Sequence, residues 1–479
     1  MGRFGRTALA RHGLLRVCGL LCAFCVSLGA HANGRYPKAD QLQVAPDDAQ
    51  FLAVRTTFGL LVSHDAGQNW DWICERAIGY SGVQDPTLGL MNRGTIIASL
   101  SEGIARSTDS GCNWAFSDAP LSGSPVIDLT VFKGAPNRAL ALVWDAQRIG
   151  YSSRVLVSDD SGRSFETYGT PIDPAVLVTT LDVAPSNSHR VYASGTRAVD
   201  GVRSALLFAS DDDGQHWSEY SLPFDPKLEQ GVYIAAVAPD DANTVYVRTS
   251  SATVSRLLVS HDGGKTASVI HSGSLLAFAL SPDGKELYFG GEDGLYGGPA
   301  NGTTFEPRAS LRVLCLAATA STVYACSDEH SGFTLGASSD GGSTFEPLLH
   351  LETVRGPLSC STDTCDADWP LVRAQLGIAL PSEMDAGAGE PADASTSDSS
   401  AESRAGATST QDDAGNGGAT ASSSGVPSTA HMKLTPRGSC AVGFGADSSS
   451  RIGQLLLALV LGRLSVRRRS RARSRLPAK

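Results

Sequence analysis

Ser63-His64-Asp65-Ala66-Gly67-Gln68-Asn69-Trp70 is the first of a series of near-copies, and the series decides the fold. The pattern is S-x-D-x-G-x-x-[WF]. It returns at Ser107–Trp114, Ser158–Phe165, Ser210–Trp217 and Ser338–Phe345. Ser260–Ala267 keeps Ser260, Asp262, Gly264 and Thr266 without the aromatic, and Gly298–Phe305 keeps only Gly302, Thr304 and Phe305. The copies start at 63, 107, 158, 210, 260, 298 and 338. Short β units at such a period mean a propeller or a solenoid, because one unit cannot bury its own apolar faces.

Each residue type in the pattern has a physical task. The Asp side chain accepts backbone N–H bonds across a tight turn, and the Gly supplies the φ > 0 conformation the turn needs. The aromatic then opens the next strand with a large apolar body. Around each copy lie short β-branched and aromatic runs. A first strand ends in a turn, as at Leu42–Pro46, Leu181–Pro185 and Ala236–Pro239. A second follows (Phe51–Val54, Val191–Ser194, Val245–Val247, Val323–Cys326), a third runs into the motif and a fourth leaves it. Four strands per unit is a propeller blade. The expectation is an all-β chain with a single seven-bladed β-propeller of four-stranded blades. Six blades remain open if Gly298–Phe305 is only a loop. Insertions precede the motif in units three and four, around Trp144–Tyr151 and Gly195–Ser204.

The motif resembles the Asp-box, or BNR repeat, of sialidases and many other propellers. That resemblance implies a hairpin joining the third and fourth strands, on the rim away from the binding face. Asp65, Asp109, Asp160, Asp212, Asp262 and Asp340 are then structural residues. His64, His216 and His261 lie inside the motifs with no metal-ligand spacing.

The flanks point to export and anchoring. Residues 1–32 carry four arginines ahead of the apolar run Val17–Leu28 and end in Ala30-His31-Ala32, the form of a signal peptide. The propeller is assigned to 33–380, an Ala/Ser/Thr/Gly-rich linker to 381–437 and a sorting or anchor signal to 438–479. This last segment has Cys440, the apolar run Ile452–Leu464 and the Arg467–Arg471 cluster, followed by a short, lysine-ended tail. It resembles the MYXO-CTERM type of sorting signal, which implies processing near Cys440 and attachment at the cell surface. A lone short apolar anchor with a stop-transfer arginine block is the other reading.

An exported chain permits disulfides. Six cysteines remain in the propeller, and sequence alone leaves 15 pairings open. Their places on the blades favour Cys315 with Cys326, Cys360 with Cys365, and Cys74 with Cys112. The overall charge of −10 conceals an asymmetry, because 24 basic and 48 acidic residues lie between 33 and 430. A mature region of net −24 is expected to repel nucleic acid.

Function is less legible. The sialidase arginine triad is missing: Gln41–Leu61 contains only Arg55 and no Arg-Ile-Pro motif. The xyloglucan-degrading glycosidases, also rich in Asp-boxes, place their cleft between two propellers, and this chain has residues for one. Asp128 and Asp182 are expected in matching first-strand slots of neighbouring blades, as weak catalytic candidates. Hydrogen bonding between blades is the plainer role for them. No cofactor or metal site is expected. Binding is expected at the loops of one end, with Trp144, Tyr151, Arg148, Tyr80 and Asp85 as candidates. The expected role is a non-catalytic recognition module for a glycan or an envelope protein. A glycosidase or lyase is the alternative, and an envelope assembly factor a further one.

Overall fold

The computed structural model describes residues 35–118, 121, 124–144 and 151–379. The expected signal peptide, linker and sorting signal, with Cys440 and Arg148, lie outside the described residues. Seven antiparallel four-stranded sheets follow one another along the chain, each in sequential strand order. They span 39–73, 88–116, 126–167, 176–221, 229–273, 277–309 and 315–349. Each first strand packs against the first strands of the blades before and after it, and the first strand of blade seven meets that of blade one. The ring is closed and seven-bladed. The eroded copy at Gly298–Phe305 is the third-to-fourth turn of a complete blade six, which removes the six-bladed alternative.

Blades are buried on both faces, so their central strands read as continuous apolar runs rather than alternating ones. Leu52-Ala53-Val54, Leu60-Leu61-Val62 and Leu140-Ala141-Leu142-Val143 are all buried. Successive side chains go to opposite seams. Leu52 and Val54 enter the core shared with blade seven, whereas Ala53 enters the one shared with blade two.

The six well-formed S-x-D-x-G turns share one geometry. In the first, Ser63 Oγ donates to Asp65 Oδ1 at 2.8 Å and accepts the Gly67 N–H at 2.9 Å. Asp65 Oδ1 also accepts the Asn69 N–H at 2.9 Å, and Oδ2 takes the Asn69 side chain at 2.7 Å. Ser164, His216, Thr266 and Thr344 supply the equivalent side-chain bond in later copies. Two successive residues have positive φ, Ala66 at 58° and Gly67 at 91°. Only the second position must be glycine: at Gly111 a Cβ would collide with the Ile73 side chain of the preceding blade.

Ring closure departs from expectation. After blade seven the chain does not stop at the rim but crosses to blade one. Arg355 N–H donates to Trp70 O, Trp72 N–H to Gly356 O and Leu358 N–H to Trp72 O, at 2.7–3.0 Å. A parallel bridge pairs Trp72 with Pro357 on the outer edge of blade one. Trp369, from the helix Trp369–Gln375, then packs on Trp72 with ring centroids 5.5 Å apart. This crossing corrects two of the three expected disulfides. Cys74 bonds Cys365 and Cys112 bonds Cys360, so both thiols of blades one and two pair with the C-terminal segment instead of each other. Cys315–Cys326 forms as expected, between directly paired residues of blade seven.

Candidate functional site: the channel and the loop face

The first strands line the central channel, and their pairing defines equivalent positions. Val44, Val131 and Val183 each align, through the second strand, with the serine of their blade's turn. Counting back three residues, Gln41, Asp128 and Thr180 share one slot. Counting back one, Gln43, Thr130 and Asp182 share another. The expected match of Asp128 with Asp182 is therefore off by two residues, and Cys315 likewise belongs to the slot of Asp128.

In three blades the slot has one use. Gln41 Oε1 accepts the N–H of Leu88 at 2.9 Å, Asp128 Oδ2 that of Leu181 at 3.0 Å, and Thr180 Oγ1 that of Ile234 at 2.9 Å. In each case the donor is on the first strand of the next blade. Asp182 is tied too, accepting the Thr130 hydroxyl at 3.2 Å and the Val183 N–H at 2.8 Å. Both aspartates are partly exposed to the channel. Burial among the converging strands pushes Asp128 up to about 7; the bonds from Leu181 and Leu129 oppose this and the nearby Asp182 charge adds to it. Burial also raises Asp182, against the pull of Lys133. The geometry makes this pair a seam between blades three and four, with one carboxyl able to exchange a proton near neutrality.

The end of the ring opposite the S-x-D-x-G turns carries the second-to-third turns and the connections between blades. Seven large apolar side chains are exposed there: Tyr36, Val83, Tyr151, Val199, Val202, Leu228 and Val254. Val199 and Val202 flank the Asp200-Gly201 turn of the long hairpin Val191–Ser210, whose tip extends past the fourth strand Ser218–Ser221.

The loop candidates divide. Tyr151 is exposed, and Trp144 ends a second strand half-buried, its indole N–H buried and unpaired among the described residues. Tyr80 is not a surface group: at 5% exposure it packs between blades one and two, and burial raises its hydroxyl pKa. Asp85 is engaged by Arg35 at 2.5 Å, beside Arg55, which bonds Asp40 at 2.6 Å and the carbonyls of Asp85 and Pro86. A buried pair missed by sequence reasoning stands on the same end: Glu229, 3% exposed, receives Arg256 through two nitrogens at 2.5 and 2.7 Å. The glutamate opens the first strand of blade five and the arginine lies on its third, so no local spacing could have joined them. Among the described residues no group of three His, Cys, Asp or Glu converges to hold a metal.

No family model matches the chain, and no curated protein matches it. Among solved structures, an ancestral GH74 enzyme aligns over 66% of this chain and 49% of its own at 13% identity, with a TM-score of 0.47. The chain thus spans about half the length of that enzyme. YCF48 from Cyanidioschyzon merolae aligns over 64% of this chain and 94% of its own at 11% identity and a TM-score of 0.41. The Dos1 propeller covers 66% and 81% at 14% identity and 0.43. These neighbours include glycoside hydrolases and other propellers, and the likeness is one of propeller fold.

Proposed function

We propose that this chain is an exported Asp-box propeller that works at the cell surface as a non-catalytic recognition module for a glycan or an envelope protein, tethered through a MYXO-CTERM type tail. The observation that carries the reading is the contrast between the two ends of the ring. One end is closed by repeated, internally bonded turns. The other presents seven of the ten large apolar side chains exposed among the described residues, on loops and a projecting hairpin where variable connections can make contacts. Tyr151 and the Val199–Val202 tip are its contact residues, with Trp144 beneath.

One observation favours a glycosidase instead: an Asp128 carboxyl raised to about 7 suits a general acid. Its bond to the Leu181 amide, in a slot that Gln41 and Thr180 fill in other blades, supports the structural role.

The test presents full-length protein with a panel of glycans, envelope polysaccharides and envelope protein extracts, scoring retention and product release together. Retention without release, weakened by Tyr151→Ala or Val202→Ser, is the expected result. Sugar release abolished by Asp128→Asn overturns it in favour of a hydrolase. Surface labelling of whole cells, with the mass of the mature C-terminus, checks the anchoring at Cys440.

A further inference from the structure

The seam between blades six and seven differs from the other six. Its core holds five buried residues among those described, Ala277, Tyr288, Leu295, Val313 and Val323, against nine or more at every other seam. In blades one to five the S-x-D-x-G turn is tied to the first turn of its own blade. Ala66, Ser110, Ser161, Asp213 and Gly263 donate their N–H to the carbonyls of Gln50, Gly94, Asn137, His189 and Asn243, at 2.9–3.2 Å. The matching donor in blade seven, Gly341, makes no such bond. The cause is length: only 319–322 separate the first two strands there, too few to reach back to the turn.

A second tie is missing at the same place. Tyr192, Tyr246 and Tyr288 occupy one second-strand slot in blades four, five and six. The first two hydroxyls donate to Ala242 O and Ala300 O of the following blade, both at 2.7 Å. Tyr288 Oη has no partner among the described residues, nor has that of Tyr324 in blade seven. A cleft of about 520 Å³ opens between the two blades, and Tyr288 lines it with Asp283, Glu286, Ser321, Ser339 and Gly341. Beside Tyr288, Arg308 Nε is buried without an acceptor.

We infer that this cleft is a binding site for a neutral saccharide, on the opposite end of the ring from the loop face. Its volume lies within the ordinary range of small-molecule sites. Tyr288 O–H and Gly341 N–H are uncommitted donors, the Glu286 carboxylate is an acceptor without an ion-pair partner among the described residues, and the Ser339 hydroxyl is both. Interleaved donors and acceptors match the hydroxyls of a sugar ring. A phosphate or sulfate would face Asp283 and Glu286, and an apolar ligand would leave these groups unpaired.

The experiment titrates full-length protein with glucose, galactose, xylose, N-acetylglucosamine and their β-linked dimers, read by saturation-transfer NMR and calorimetry. At least one sugar is expected to bind at a single site. Tyr288→Phe and Glu286→Gln should each weaken it about three- to tenfold, the scale of one hydrogen bond, without lowering the melting temperature. Val269→Ser, on an outer strand, should leave it unchanged. No binding by any of these sugars, or binding indifferent to both cleft variants, overturns the inference. Binding lost with Tyr151→Ala but kept in Tyr288→Phe also overturns it, while leaving the loop-face reading standing.

Discussion

Asp128 Oδ2 accepts the backbone N–H of Leu181 at 3.0 Å, across the seam between blades three and four. Gln41 and Thr180 make the same bond at other seams with neutral groups. Only Asp128 adds a titration to it. Its native pKa is raised to about 7, against about 3.9 in an unfolded chain. The native state thus keeps a proton that the unfolded chain releases. The resulting stability is fully present below about pH 4 and is lost as pH rises through 7.

Asp128→Asn keeps the acceptor and removes the titration. Relative to this variant, the unmodified protein should lose melting temperature between pH 5 and pH 8, and the variant should be the more stable at pH 8. Parallel melting curves across that range would refute the assignment.

The two long-range disulfides should be modestly non-additive. They separate their partners by 291 and 248 residues, and removing such a bond alone typically costs 2–5 kcal/mol. With Cys74–Cys365 intact, however, Cys112–Cys360 closes a loop only of the short stretches between the staples. Losing either pair should therefore cost somewhat less than half of losing both, the shortfall of the two single losses together being about 1–2 kcal/mol. Denaturant unfolding of the two double-serine variants and of the quadruple variant measures this.

Ser107, rather than Asp109, is the buried hub of its turn. Ser107 is 1% exposed and its hydroxyl accepts the buried Gly111 N–H at 2.9 Å, whereas Asp109 is exposed. Ser107→Ala strands that donor and should cost about 1–3 kcal/mol. Asp109→Ala should cost less, because water can replace its bonds. Equal losses in chemical denaturation would contradict this ordering.

Tyr246→Phe removes a buried 2.7 Å bond to Ala300 O and should cost about 1 kcal/mol. Tyr288→Phe, in the same slot, should cost nothing measurable. Thermal melts of the pair separate a seam tyrosine from a cleft tyrosine without any ligand.

What was legible in the sequence was local chemistry. The turn from Ser63 to Trp70 makes its Ser–Asp–Gly hydrogen bonds within eight residues, so its repetition displays both the blade and the blade count. The channel acceptors were hidden because Gln, Asp and Thr perform one task, and because aligning Asp128 with Asp182 needs strand register that no spacing in the chain supplies. Tyr80 follows Gly79, which ends the short helix Glu75–Ile78, and that composition reads as a surface loop. The turn instead folds the ring back between blades one and two. The cysteines misled for a third reason: the segment after blade seven returns to blade one, and nothing in its composition announces where it docks.

That return imposes an order of events on synthesis. Cys74 and Cys112 are made long before Cys360 and Cys365. At about 5–20 residues per second, the 291 residues from Cys74 to Cys365 correspond to a wait of roughly 15–60 s. Throughout it, the thiol nearest to hand for Cys74 is Cys112, the partner that blade position alone suggests. The finished bonds thus require that this early, wrong bridge be avoided or exchanged. A chain stopped before Cys360 offers neither thiol its native partner.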